Sequence, residues 1–507
     1  MSGTEKKSYG QILKSSAIIG GSSALNIGFG IVRTKAMALL LGPAGVGLLG
    51  VYSSISDLTR CLAGLGINNS GVRQIAEAVG TGDHQRIART VTALRRVALC
   101  SGALGAVLLL ALSRLVSWLT FENDHHVGAV ALLALVAFCG DVSAGQGALI
   151  QGMRRIGDLA RMNVLGAFYG TFFSILIVYF YGEAGLAPSL VCVGVMSVLT
   201  SWWYARKIRV ETVSITLRQT IQESAGLLKL GLVFMSSALM TLGAAYLVRR
   251  IVLLDLGLQA AGYYQAAWAL GGLYVGFIIA AMGADFYPRL TAVAQDHPKC
   301  NRLVNEQTEV GLLMAGPGIL ATLTFAPLII PLFYRADFAP ATEILRWICL
   351  GMMLRVVTWP MGFIIIAQGA RKIFFWTEIL ANAGYAGLAW LGVRVFGLKG
   401  TGIAFFALYL VHFIVVYLLV RRLSGFRWSV SNRQLAFLFM PLIAANFIGW
   451  YVLPPLGAVI LGLLVTVSAG IYSLKMLCAL IPLGRLPRSA QKLIRIFRLE
   501  PAPTTIP

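Results

Sequence analysis

The side chains of this chain that could do chemistry are charged groups set inside long apolar runs. They are Arg33 and Lys35, Asp57 and Arg60, Asp141, Arg249 and Arg250, and Arg355. A charge near the middle of a membrane costs roughly 2.5–3.5 kcal/mol on insertion scales, so it survives where it meets a partner or a watery cavity. Arginine presents a planar fork of donors that matches phosphate oxygens. An excess of arginine over carboxylate in the spans therefore points to an anionic, phosphate-bearing amphiphile, bound in a cationic cavity lined by Arg33, Lys35, Arg60, Arg249, Arg250 and Arg355. Asp57 and Asp141 are the candidates for coupling a proton or a sodium ion. The membrane potential alone is the other available driving force.

Each of these residues also has a plainer reading. Arg33, Arg249 and Arg250 lie toward helix ends and could reach the interface by extending their stems. Asp57 and Arg60 are three apart on one helical face, a spacing that lets them neutralise each other. Arg355 sits in mid-span, four residues before Trp359-Pro360, where a proline frees a backbone carbonyl and bends a helix. That position favours a cavity. His412, alone on an apolar helix, reads as a packing residue.

Other chemistries lack their residues. The sequence has no GxxxxGK[ST] phosphate loop, no HExxH and no GxSxG elbow. Its seven cysteines show no CxxC or other metal-ligand spacing and read as small apolar residues. We expect no catalytic residues, no metal, no cofactor and no enzymatic activity.

The elements that must carry these charges are membrane helices. Of 507 residues, 58% are hydrophobic and 12% charged, with mean hydropathy +0.78, against about 25% charged in soluble domains. Runs long enough to cross about 30 Å of hydrocarbon recur from 11–41 to 455–479, about fourteen in all. Backbone polar groups in lipid must be satisfied within the segment, so these are helices. The start, MSGTEKKSYGQILKSS, lacks a short apolar core with a cleavage site, so no cleaved signal peptide is expected.

The chain repeats itself. RTKAMALLLGPAGVG (33–47) returns as RRIVLLDLGLQAAG (249–262), where Arg249 answers Arg33 and Gly262 answers Gly47. QGMRR (151–155) matches QGARK (368–372) at an offset of 217, and Gly185-Leu186-Ala187 matches Gly402-Ile403-Ala404 at the same offset. Two six-helix lobes follow, 1–222 and 223–424, related by a pseudo-two-fold along the membrane normal because six is even. A hairpin (425–480) and a basic tail (481–507), amphipathic or disordered, complete the expected organisation.

Most of the 42 cations fall in alternate loops, among them Arg86, Arg89, Arg154, Arg155, Arg206, Lys207, Arg421 and Arg422. Under the positive-inside rule this places both termini in the cytoplasm. The +22 charge then reflects that bias and attraction to anionic lipid, with no nucleic-acid partner.

Three segments carry a resemblance: LGPAGVGLLG (41–50), GINNSGVRQIAE (66–77), and DFYPRLTAVAQD (285–296) following LGLQAAGYYQAAWALGGLY (256–274). They resemble the O-antigen translocase (Wzx-type) branch of polysaccharide transporters, more specifically its enterobacterial-common-antigen-like flippases. That branch belongs to the MOP superfamily, which also contains the MATE multidrug exporters and the lipid II flippases. The resemblance covers residues 10–422. It implies two six-helix lobes around a central cationic cavity that binds the pyrophosphate of an undecaprenyl-linked glycan and alternates access across a bacterial inner membrane. It implies as partners that lipid-linked glycan, membrane lipids, a glycan polymerase and a chain-length regulator, with the flippase itself a monomer. Twelve helices are usual in that branch, so the last pair is a departure and keeps a lipid II-type flippase open. A MATE-type exporter would call for an acidic, aromatic cavity. A glycan polymerase would call for large external loops, where this sequence has short ones.

Overall fold

The computed structural model describes residues 3–210, 213 and 216–480; the side chains of 3–19 and of scattered residues in 217–234 and 280–288 lie outside that description. The basic tail at 481–507 lies outside the described residues. Everything described is helix or turn, with no strand: α1 (Gly3–Gly64), α2 (Ile67–Thr81), α3 (His84–Ala111), α4 (Ser113–Phe121), α5 (Val127–Gly152), α6 (Ile156–Tyr181), α7 (Leu186–Ala205), α8 (Leu217–Leu256), α9 (Leu258–Ala292), α10 (His297–Phe333), α11 (Ala341–Ala367), α12 (Arg371–Phe396), α13 (Gly400–Ser424), α14 (Val430–Val452) and α15 (Pro455–Leu480).

Ten stretches among the described residues are long and apolar enough to cross a membrane. Three of them, Gly20–Gly64, Ile156–Ala205 and Arg371–Ser424, run through a break between two helices. The distribution of side chains is that of a multi-pass membrane protein. Large apolar residues such as Leu104, Val107, Val411 and Leu418 face outward, while hydroxyls such as Ser54, Ser56 and Ser189 are buried. Those hydroxyls donate to carbonyls of their own helices: Ser54 to Gly50 at 2.9 Å, Ser56 to Tyr52 at 3.0 Å, Ser189 to Leu186 at 2.7 Å. In lipid, with no hydrophobic drive between helices, small side chains and satisfied hydroxyls are what let helices approach.

The repeat is written into the backbone. α1 breaks at Gly42 (φ 65°, ψ −165°), and α8 ends at Gly257 (φ 88°, ψ 176°). Both lie in a region open essentially to glycine alone. Left-handed residues recur at Arg154 and Gly369, and at Gly182 and Gly397. All three pairs are 215 apart (257−42, 369−154 and 397−182). Helices α6 and α12 coincide at both ends at that offset (371−156 and 396−181). The sequence match of QGMRR with QGARK is therefore two residues out of structural register. The turn after α5 closes with Arg155 N donating to Ile150 O, and the turn after α11 with Ala370 N donating to Ile365 O. What aligns is the left-handed turn residue, an arginine in one copy and a glycine in the other.

The described residues divide into two compact units: one runs to Gly262 and includes Phe333–Arg335, the other takes Tyr263–Leu332 and everything from Ala336 onward. The lobe boundary expected from sequence lies at 222/223. The division at 262/263 marks packing, and it places α8 with α1–α7.

In the first unit the two repeated turns meet. A Cβ on Gly262 would run into the carbonyl of Pro43, and one on Gly47 would lie 2.8 Å from the amide nitrogen of Gly262. In the second unit α14 is clasped to α10: Asn446 donates to Thr324 Oγ1 at 2.9 Å and to Leu320 O at 3.2 Å, and Asn432 donates to Asn305 O and Oδ1, both at 2.9 Å.

Candidate functional site

Beyond its break, α1 carries Asp57, Arg60, Cys61 and Gly64, spaced so that one helical face presents all four. That face borders a cavity of about 510 Å³ in the first unit. Asn68 and Asn69 from the start of α2, Ala98 and Ser101 from α3, Asp141, Ala144 and Gly145 from α5, and Met235, Ala238 and Leu242 from α8 supply its other walls. A second space of about 450 Å³ shares Asp57, Arg60, Asn68 and Ala144 with the first and extends toward Ser143, Gln151, Asn163 and Ser197. The first space is a chamber whose walls carry charged and amide side chains inside helices that are otherwise apolar.

Three charges face this chamber. Asp57 is exposed to it, and Asp141 is buried at 7% exposure. Arg60 lies across Gly140, where any Cβ would strike the guanidinium. Gly64 and Gly102 make room for Asp141: Cβ atoms there would lie 3.0 Å from its Oδ1 and 3.3 Å from its Cβ. Arg60 acts electrostatically on both carboxylates, and Arg249 acts on Asp57. No ion pair within 4.0 Å joins them among the described residues, and Nε of Arg60 and Oδ2 of Asp141 are buried without a hydrogen-bond partner. A guanidinium held between two carboxylates, yet locked to neither, can be claimed by an incoming anion. A carboxylate with an open oxygen can take a proton or a metal cation.

The structure brings together only part of the residue set expected from sequence. Arg60, Asp57 and Asp141 line the chamber. Arg33 instead points into the packing of α1 against α6, donating through Nε to Ser174 Oγ at 3.2 Å with Nη2 buried and unpaired. Lys35 Nζ donates to the carbonyl of Tyr334, in the short turn Phe333–Arg335 of the same unit. Arg250 reaches from α8 to the end of α4, to the carbonyl of Leu119 and to Glu122 Oε1 at 3.7 Å. Arg249 Nη1 donates to Ala245 O at 3.1 Å in its own helix. Arg355 belongs to the second unit, its guanidinium 6.0 Å from the ring centre of Tyr409.

The physical reason is reach. Depth in the membrane is legible from sequence, but which neighbour a long side chain meets depends on helices far along the chain. The chamber of the first unit consequently holds two carboxylates and one guanidinium, where sequence alone anticipated an excess of arginine. Sequence reasoning also passed over Asn68, Asn69, Asn163 and Gln151. Neutral amides in or beside apolar runs were the available signal.

Comparison with known proteins places this architecture. Residues 36–343 match the model of a family described as polysaccharide biosynthesis protein. The lipid III flippase of Escherichia coli (strain K12) is 23% identical over 417 residues, 81% of this chain and 99% of that protein, and the lipid III flippase of Shigella flexneri matches equally. Among solved structures, an inward-facing multidrug resistance MATE family transporter of the MOP superfamily superposes with a TM-score of 0.68 at 17% identity, over 78% of this chain and 94% of that one. The lipid II flippase MurJ in an inward closed conformation superposes with 0.66 at 13% identity, over 92% of this chain and 99% of that one. At these identities the superpositions establish a shared fold.

Proposed function

Because this chain belongs to the polysaccharide biosynthesis protein family through residues 36–343, we propose that it is a flippase for a lipid-linked oligosaccharide. Its substrate is an undecaprenyl-pyrophosphate-linked repeat unit of O-antigen or common-antigen type, carried from the cytoplasmic to the periplasmic leaflet of a bacterial inner membrane. The observation that carries this reading is the match to a lipid III flippase over 99% of that protein's length. The activity is transport without bond cleavage. Both termini lie in the cytoplasm, and the natural partners are the glycan polymerase and chain-length regulator that act on the delivered unit.

In this reading Arg60 is the phosphate anchor and Arg249, which already acts on Asp57, supports it. Asp57 and Asp141 compete with the phosphate for Arg60. Loading either carboxylate with a proton or sodium ion releases the guanidinium to the substrate, and rocking of one repeat against the other then changes access. Moving about two negative charges outward is favoured by about 2.3 kcal/mol per charge per 100 mV of inside-negative potential. Arg33, Lys35 and Arg250 act as clamps between segments of the first unit.

The test is accessibility in cells. With the protein depleted, the lipid-linked glycan should accumulate and stay protected from membrane-impermeant periodate in spheroplasts. Oxidation at the undepleted rate would sink the reading. A multidrug exporter would instead make drug resistance track expression of the protein.

A further inference from the structure

A third cavity, of about 400 Å³, opens in the first unit between α3, α5 and α7. Its charged lining residues are Arg95 and Arg206, and its walls are Leu99, Val142, Trp202 and Ile208, with Gln146 at its side. Arg95 and its neighbour Arg96 are the last cations of the basic start of α3 before the apolar run 97–111, and Arg95 is the one that lines the cavity. Arg206 is the first cation after the apolar run 186–205. Two positions fixed independently by sequence thus fall at a membrane interface and open on the same cavity.

Neither guanidinium meets a carboxylate within 4.0 Å among the described residues. Arg206 rests instead on indole rings, 4.7 Å from the ring centre of Trp202 and 3.7 Å from that of Trp203. Those tryptophans are 49% and 48% exposed, and Leu99 beside them is also exposed. Indoles at this depth are the usual markers of the headgroup layer. A cavity with two uncompensated guanidinium groups at its polar end and an apolar wall continuous with the lipid-facing surface has the chemistry of a phosphate ester on a hydrocarbon chain.

We propose that this cavity is a binding site for an anionic glycerophospholipid, its phosphate held between Arg95 and Arg206 and an acyl chain lying on Leu99 and Trp202. The site is separate from the chamber that faces Arg60: Ala98 and Gly145 border both spaces, and a Cβ on Gly145 would lie only 2.8 Å from that of Ala98, so these two small residues form the wall between them. The proposal goes beyond the transport reading and stands whatever substrate the chamber carries. Free phosphate would share the two arginines but have no use for the apolar wall.

The experiment is native mass spectrometry of the full chain in micelles containing equal amounts of phosphatidylglycerol and phosphatidylcholine. The wild type should retain one phosphatidylglycerol in preference to phosphatidylcholine. Arg95→Gln and Arg206→Gln should each lower that retention about five-fold. Val142→Trp, which fills the cavity and keeps both arginines, should lower it as well, whereas Arg114→Gln, remote and paired with Asp124 at 2.9 Å, should not. A monodisperse elution peak establishes that each variant is folded. Equal retention by wild type, the arginine variants and Val142→Trp would overturn the proposal. So would displacement of lipid by inorganic phosphate without preference between the two lipids, since the site would then be one for the free anion.

Discussion

Arg60 shows how far a single residue can be read. Its position in an apolar run, three residues after Asp57, marks it as either a neutralised pair or a binding group. The structure leaves it between two carboxylates with Nε unpaired, a geometry that side-chain spacing does not determine. Asp141 was legible as an ionisable residue in a span, but its nearness to Arg60 was not, because α5 follows α1 by a whole hairpin. Two turns earlier on the same helix Tyr52 hydroxyl meets His126 Nδ1 at 2.9 Å, and the imidazole stacks on Phe121 with ring centres 4.0 Å apart. Burial lowers the affinity of His126 for a proton below the ordinary value near 6.5, with the neighbouring His125 acting in the same direction and Glu183 opposing it. The unfolded chain then binds that proton first. The stability this contact contributes is present above pH 6.5 and is lost as the pH falls through the lowered folded value. Thermal unfolding of the detergent-solubilised protein should weaken on acidification, and His126→Phe should remove part of that slope. An identical slope in the variant would assign the acid sensitivity elsewhere.

Among the elements, the turns were the most legible part of the chain and the lateral contacts the least. The Leu-Gly pairs at 41–42 and 256–257 announced two equivalent breaks, and both glycines adopt the same unusual conformation. Gly42→Ala and Gly257→Ala should therefore each destabilise by about 1–3 kcal/mol, whereas Gly20→Ala, with nothing within 4 Å, should not. Unfolding temperatures in detergent would compare them, and a cost at Gly20 equal to the other two would remove the conformational explanation. The register of the QGMRR and QGARK match misled by two residues because letters were conserved where the turn was not. The clasp of α14 on α10 was not legible at all: Asn446 and Asn432 are single amides in apolar runs, and their acceptors lie in another helix. Asn446→Leu removes both donor contacts while leaving Thr324 bonded to Leu320 O at 2.8 Å. It should cost about 1–2 kcal/mol and loosen α14 in cysteine cross-linking between α14 and α10. Unaltered cross-linking and stability would mean that packing alone holds the hairpin.

For the whole molecule, composition alone indicated a polytopic helical protein, and the repeat indicated two copies of one bundle. Both follow from rules that act on every residue, the cost of unpaired backbone groups in lipid and the cost of charge there. The chamber escaped sequence reasoning because it depends on where five separate helices, α1, α2, α3, α5 and α8, place their small and polar faces. In the proposed flippase, transfer of the pyrophosphate should speed up when an inside-negative potential is imposed, unless enough coupled cations move outward with it to cancel the charge. The central claim is that the chamber around Arg60 carries the substrate phosphate. It is tested most directly by the initial rate at which proteoliposomes of the full chain flip an undecaprenyl-pyrophosphate-linked oligosaccharide, comparing wild type with Arg60→Ala and Arg114→Ala. The account predicts a loss of about a hundred-fold for Arg60→Ala, the equivalent of one bidentate charged contact, and no loss for Arg114→Ala. A folded Arg60→Ala protein that flips the lipid at the wild-type rate would contradict it.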